Sequence, residues 1–198
     1  MVDVMPQASL FSASQYPPGF DYRLAFLSEA EERKLLREIS QLEFASVEVR
    51  GVVARRRTVH FGWTYGYYSR RAEPGPPLPT FLLPYRERIS EWARVDPALF
   101  VEALVTEYPA GAPIGWHRDA PQFGDVVAGI SLEGAARMKF RLYVSPSELT
   151  TARRETTHEV ALEPRSAYLI AGVARREYEH SIPSVASRRY SITFRTLR

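Results

Sequence analysis

The sequence predicts an α+β fold that is mainly β: two helices, then a long succession of short strands. Three observations carry that prediction. Apolar residues recur at helical spacing only in two windows before residue 95, and beyond residue 100 the period is two, interrupted by turn residues. The chain has 198 residues, of which 45% are apolar and 25% charged, enough for one hydrophobic core and too few for two. A single domain over 1–198 is therefore expected.

Residues 1–23 (ending SQYPPGFDY) show no helical period and are expected to form an extended arm. Ser28 and Glu31 then make a capping box, and Leu35, Leu36, Ile39 and Leu42 line one face of a helix ending near Gln41. From Phe44 the pattern alternates, with Phe44, Ser46 and Glu48 on one side and Ala45, Val47 and Val49 on the other. Gly51 and a second run, Val52 to Phe61, complete a hairpin with arginines on its open face. Residues 62–79 (GWTYGYYSRRAEPGPPLP) combine aromatics with a proline cluster and predict a long loop. A second helix, about Thr80 to Arg94, carries Phe81, Leu82, Tyr85, Ile89 and Trp92 on its apolar face, and Pro84 requires the first turn. Strands are expected at 102–108, 114–119, 125–132, 136–144, 156–162, 166–171, 175–182 and 188–197. That series suits an antiparallel sandwich or jelly roll with both helices packed on one sheet.

Composition excludes several chemistries. With no cysteine, disulfides, thiolate nucleophiles, iron–sulfur clusters and cysteine-bound zinc all fall away, and any metal is held by His and carboxylates. No apolar run approaches the roughly 20 residues of a membrane span, and the start MVDVMPQASL lacks the features of a signal peptide, so a cytoplasmic, membrane-free protein is expected. The net charge of +3 is unevenly spread: residues 1–136 hold 14 basic and 17 acidic groups, and 137–198 hold 12 and 6. Arginine supplies 24 of the 26 basic residues, which a GC-rich genome would also produce but which suits phosphate or carboxylate binding.

His117 and Asp119 form H-x-D, and a period of two puts both on one face of a strand. His180 lies in a later strand, EYEHSIP. Two histidines and one carboxylate are the facial triad that binds Fe(II) with positions left open. At the carboxyl end, R-Y-S-I-T-F-R puts Arg189, Ser191, Thr193 and Arg195 on one face and Tyr190, Ile192 and Phe194 on the other. The first face is a cationic stripe inside a strand, which a dicarboxylate would neutralise. Six strand residues span about 20 Å, so one small ligand favours one arginine, and Arg189 is the stronger candidate. Trp116 is expected in the core, and His60 and His158 in structural or surface positions.

Together Y-P-A-G-A-P-I-G-W-H-R-D (Tyr108 to Asp119), His180 and R-Y-S-I-T-F-R resemble the AlkB family of Fe(II)/2-oxoglutarate-dependent oxygenases, over about residues 44–198. The resemblance implies a double-stranded β-helix core over 100–198, two supporting N-terminal helices and a β-hairpin substrate lid within 44–79. It implies that His117, Asp119 and His180 bind iron, that Tyr108 hydrogen-bonds 2-oxoglutarate, that Arg189 pairs with its distal carboxylate, and that Arg195 lies near its metal-bound end. Thr106 stands where well-known members carry Asn, and offers one hydrogen bond in place of two. With Fe(II), O2 and 2-oxoglutarate, the implied dioxygenase forms succinate and CO2 while hydroxylating a substrate carbon; on an N-methyl group, formaldehyde is released.

The implied lid contains Arg55 and Arg57 with Trp63, Tyr65 and Tyr67, cations and rings suited to a single-stranded or base-flipped nucleic acid. Arg50, Arg56, Arg70, Arg71 and Tyr68 lie among them. The leading expectation is a monomeric oxidative demethylase of N-alkylated bases in DNA or RNA, a DNA-repair-type activity. The alternative is an oxygenase of a protein or small molecule, favoured by the modest charge and by Pro121, which replaces the acidic residue that nucleic-acid repair members often place two positions after the metal aspartate. A third reading is a catalytically silent binding module on the same scaffold.

Overall fold

The computed structural model describes residues 16–49, 51–65, 72–144 and 157–197. Its first element is a strand, β1 (Phe20–Arg23), so the last four residues of the expected arm belong to a sheet. Helix α1 (Glu29–Ile39) follows its capping box: the Ser28 amide donates to Glu31 Oε2 at 2.8 Å, and the Glu31 amide donates to Ser28 Oγ at 3.2 Å. Strands β2 (Ala45–Val49) and β3 (Val52–Tyr65) make the expected hairpin. The loop predicted from residue 62 is shorter than expected, because β3 runs on to Tyr65 and pairs there with β4 (Ala72–Pro74). Helix α2 (Leu83–Ala93) starts after a 3₁₀ turn at Thr80–Leu82, which seats Pro84 in the first turn, where its missing N–H costs nothing.

The strand series then runs β5 (Phe100–Tyr108), β6 (Ile114–His117), β7 (Phe123–Leu132), β8 (Ala136–Leu142), β9 (His158–Leu162) and β10 (Ala167–Ile170). After it come a short helix, α3 (Gly172–Glu177), and strands β11 (Tyr178–Ile182) and β12 (Arg189–Leu197). Where a strand from 175 was expected, α3 occupies the first three positions; six residues are too few to establish a helical period in sequence.

Two antiparallel sheets result. One has the order β1-β10-β7-β12-β5-β3-β2 with β4 on β3, and the other is β6-β11-β8-β9. From β5 onward the chain passes back and forth between them, staying in one sheet only for the β8–β9 pair. The larger sheet is covered on one face by the helices: Leu35, Ile39, Leu82, Tyr85 and Ile89 pack with Ala103, Val105, Ile130, Ile192 and Phe194. Both helices on one sheet is the arrangement expected from the sequence. The second cluster gathers Tyr108, Val127, Met138, Phe140, Tyr168 and Ile170 from the two sheets. Strand β12 is central and buried on both faces, its polar residues on one and Ile192 and Phe194 on the other.

Glu31 is held below its ordinary carboxyl range by the hydrogen bond from the Ser28 amide; burial opposes this, and Ser28 Oγ and Arg88 add to it. Its contribution is therefore present above its unfolded pKa and is lost as pH falls through the folded value. Ser28→Ala should lower unfolding free energy by about 1 kcal/mol at neutral pH. In denaturant titrations the deficit should narrow as pH drops below 4.5; a deficit independent of pH would mean that the Ser28 hydroxyl does not act through the Glu31 carboxylate.

Candidate active site

His117 and His180 face each other directly across the β6–β11 pair, their ring centroids 4.3 Å apart. Asp119 does not arrive by strand alternation as the sequence suggested. Strand β6 ends at His117, and Asp119 sits in the turn that follows. What fixes this turn is Arg175 of α3, buried and donating to four backbone carbonyls: Gly124 at 3.2 Å, Asp119 at 3.5 Å, Ala120 at 3.1 Å and Phe123 at 3.2 Å. Asp119 Oδ2 then lies 3.9 Å from His180 Nε2.

Protonation follows from the surroundings. His117 Nδ1 lies 2.9 Å from the Gly115 carbonyl, an atom that only accepts, so Nδ1 is the donor there and Nε2 is the nitrogen a metal would take. Burial, reinforced by His117 and opposed by Asp119, pushes His180 down to about 3, so its imidazole is neutral and a competent ligand. Burial alone would raise Asp119, but the Arg195 guanidinium, with Arg175 adding to it, overrules burial and holds the carboxyl well below its usual range. These are the nitrogen and carboxylate donors that suit Fe(II). They are neighbours, not a closed cage: among the described residues no three His, Asp or Glu side chains form a ready-made metal cluster.

The second half of the site lies on the facing strands β5 and β12. Their register pairs Arg189 with Tyr108, Ser191 with Thr106 and Arg195 with Glu102. Arg189 is fully buried, its guanidinium 5.0 Å above the Tyr108 ring, and Nη2 donates to Ser131 Oγ at 3.1 Å. Nε and Nη1 of Arg189 are buried without a partner among the described residues. An uncompensated buried guanidinium is expensive, and a carboxylate is its natural counter-ion, so these residues fit one end of 2-oxoglutarate. Thr106 is buried beside them on the same face. Arg195 has a different employment: its Nε donates to Asp119 Oδ1 and its Nη1 to Glu102 Oε2, both at 2.8 Å. The two arginines of the cationic stripe thus serve separate groups, as the strand's length required.

Sequence reasoning passed over three residues here. Arg175 acts on backbone carbonyls, which leave no side-chain pattern to find. Tyr168 lies across Gly129, where any side chain would collide with its ring, and stacks on Phe20 at 6.0 Å. Burial raises its phenol to about 12, with Tyr108 and Asp119 adding to the effect against Arg189 and Arg195. Glu102 shares a strand face with Thr106 and Tyr108, a period-two signal that was available.

On the hairpin, Arg55 Nη1 donates to the Gly111 carbonyl at 3.3 Å, which ties β3 to the turn after Tyr108. Arg57 pairs with Glu107 at 2.6 Å while remaining half exposed. Trp63 is 37% exposed. The backbone of Tyr65 ends β3, and its side chain, together with Arg50, Tyr67, Tyr68, Arg70 and Arg71, lies outside the described residues. Trp116 is not in the core: it is 36% exposed, with the Arg141 guanidinium 4.3 Å from its ring. Strand alternation that turns His117 inward turns its neighbour out. His60 is structural in the sense expected, its Nδ1 lying 3.2 Å from Glu102 Oε1.

Among the described residues no helix is long and apolar enough to cross a membrane. A profile of the 2OG-Fe(II) oxygenase superfamily matches residues 21–195. In sequence the chain is similar to the Alkylated DNA repair protein ALKBH8 homolog of Arabidopsis thaliana, 30% identical over 224 residues. That match takes in 99% of this chain but spans 63% of the relative's length. In structure it is similar to OsALKBH1, with a TM-score of 0.65 at 15% identity over 91% of this chain and 99% of that one. A prolyl-4-hydroxylase of Pseudomonas putida gives a TM-score of 0.61 at 16% identity over 91% and 93% of the two chains. At those identities the structural matches speak for the fold. The profile covers nearly the whole chain and both halves of the site, so the protein belongs to the 2OG-Fe(II) oxygenase superfamily.

Proposed function

We propose that this chain is a monomeric, single-domain oxygenase that oxidatively demethylates N-alkylated bases in DNA or RNA. In this reading residues 100–198 form a double-stranded β-helix, supported by the alternation of strands between two sheets. His117, Asp119 and His180 hold Fe(II); Arg189, Tyr108 and Thr106 hold 2-oxoglutarate. The observation that carries it is Arg189, a fully buried cation with two nitrogens unpartnered among the described residues, on the same strand face as the Arg195 that holds Asp119.

When bound, iron with 2-oxoglutarate and O2 supplies the oxidation that hydroxylates a substrate C–H bond, with succinate and CO2 as co-products. The chain's own residues prepare that step. Arg189 and Tyr108 fix the cosubstrate's far end, where charge and geometry both select a carboxylate. The Gly115 carbonyl sets the His117 tautomer, and Arg195 keeps Asp119 ionised. Phe140, with its ring 5.8 Å from that of His180, excludes water from one side. On an N-methyl substrate the hydroxylated carbon leaves as formaldehyde and the base nitrogen regains its proton.

For the substrate, support comes from the name of the plant relative, which refers to alkylated DNA, and from the hairpin's Arg55, Arg57 and Trp63, with Tyr65 and Tyr67 further along the same segment. A second reading, a protein or small-molecule substrate, draws on the internal bonds that already engage Arg55 and Arg57 and on Pro121. Steady-state assays on N-methylated DNA and RNA oligonucleotides should yield formaldehyde in step with succinate. Binding that weakens steeply with salt supports phosphate contacts; succinate without formaldehyde from any oligonucleotide overturns the nucleic-acid reading in favour of the second.

Two substitutions test the site itself. Asp119→Ala should abolish iron-dependent succinate release, and near-normal release would remove Asp119 from the metal set. Arg189→Met should raise the 2-oxoglutarate KM by about a hundredfold, the loss expected for a buried charge-assisted pair worth roughly 3 kcal/mol. An unchanged KM would sink its assignment.

A further inference from the structure

One buried carboxylate beside the site, the partner of Arg195, has so far been given no role in it. Glu102 of β5 is 1% exposed, an unusual place for an ionised group unless its charge is matched. Both of its oxygens are engaged. Oε2 accepts from Arg195 Nη1 at 2.8 Å, and Oε1 lies 3.2 Å from His60 Nδ1 on the long strand of the hairpin. Arg195 in turn holds Asp119 Oδ1 at 2.8 Å. A continuous polar chain therefore runs His60–Glu102–Arg195–Asp119 across three neighbouring strands, β3, β5 and β12, to the turn after β6.

The charges along this chain matter to a cation. Asp119 and Arg195 alone are a neutral pair, and a guanidinium bonded to a ligand carboxylate repels an incoming dication. With Glu102 included, the group carries one net negative charge, and the negative surplus returns to Asp119. Geometry adds to this. Arg195 grips Asp119 through Nε while Glu102 holds Nη1, so the guanidinium plane is fixed at two points. Asp119 is thereby fixed with Oδ1 occupied and Oδ2 turned toward His180. Outer residues that orient a ligand carboxylate commonly change metal affinity by about 10–100-fold.

We propose that Glu102 is a positioning residue of the metal site, acting through Arg195 on Asp119, and that His60 hooks the base of the hairpin into the same chain. This rests on the reading of His117, Asp119 and His180 as the metal ligands. Its consequence is that the hairpin, offered above as the substrate-facing element, is mechanically and electrostatically joined to the metal centre through Asp119 Oδ1, the oxygen not turned toward His180.

The test is Mn(II) binding to the full-length protein without 2-oxoglutarate, followed by the EPR signal of free Mn(II), with thermal melts confirming that each variant is folded. Glu102→Gln should raise the Mn(II) Kd about tenfold. In an Arg195→Met background the same substitution should add less than about twofold, because its route to Asp119 is already cut. His60→Gln leaves both charged partners in place and should raise the Kd by about two- to threefold. Wild-type affinity in folded Glu102→Gln overturns the proposal, and so does a full tenfold loss on top of Arg195→Met, which would mean that Glu102 acts on the metal directly. Should Glu102→Gln fail to fold, wild-type affinity in His60→Gln overturns it instead. Asp119→Ala separates the two levels: if that variant binds Mn(II) like the wild type, the ligand assignment itself has failed, whereas loss there with no effect at Glu102 or His60 counts against this inference alone.

Discussion

A guanidinium taken out of water needs negative charge beside it, and strand β12 takes two out of water within the seven residues from Arg189 to Arg195. Much of the molecule is arranged around that constraint. Arg195 is matched inside the protein by Asp119 and Glu102. Among the described residues Arg189 has the Ser131 hydroxyl and the Tyr108 ring, and two of its nitrogens are left over. The first arginine is completed by the fold, and the second by what the protein binds. In both cases the cation stands on a rigid central strand, flanked by β5 and β7 over nearly its whole length.

That strand can present a polar face only because its other face is so well packed. Ile192 and Phe194 belong to the core beneath α1 and α2, where burial of apolar surface is the main source of stability. The larger sheet thus has an apolar side supported by helices and a chemically equipped side turned toward the smaller sheet. Helices α1 and α2 contribute none of the site residues named above, but without their cover the sheet's apolar face would be open to solvent. Division of labour between the faces follows directly from the period of two along each strand.

The same periodicity explains how much could be read in advance. Alternation in β5, β7, β8 and β12 was legible, as were both helices, the hairpin and the His117–Asp119–His180 and Arg189–Arg195 patterns, because each is a local repeat or a short motif. What escaped depends on contacts distant in sequence. Strand β1 has four residues, and only its pairing with β10 makes it a strand. Arg175 recognises carbonyls 51 to 56 positions away, and carbonyls are identical in every residue. The exposure of Trp116 could have been inferred: if His117 points inward, its neighbour on the same strand cannot. Tyr168 and Gly129 were unremarkable separately and become a pair only in the register of β10 against β7.

The short strand β1 has a further meaning for the sheet. It lies along β10 from Ala167 to Ile170 and is the last strand on that side, while β2 ends the opposite side. Without Phe20–Arg23, the backbone donors and acceptors of an entirely buried segment, Ala-Tyr-Leu-Ile, would form a bare margin, the kind of surface on which a second chain readily adds itself. The residues just before the first helix therefore act as a selvedge that finishes the weave. A chain shortened into them would face self-association before it faced any loss of chemistry.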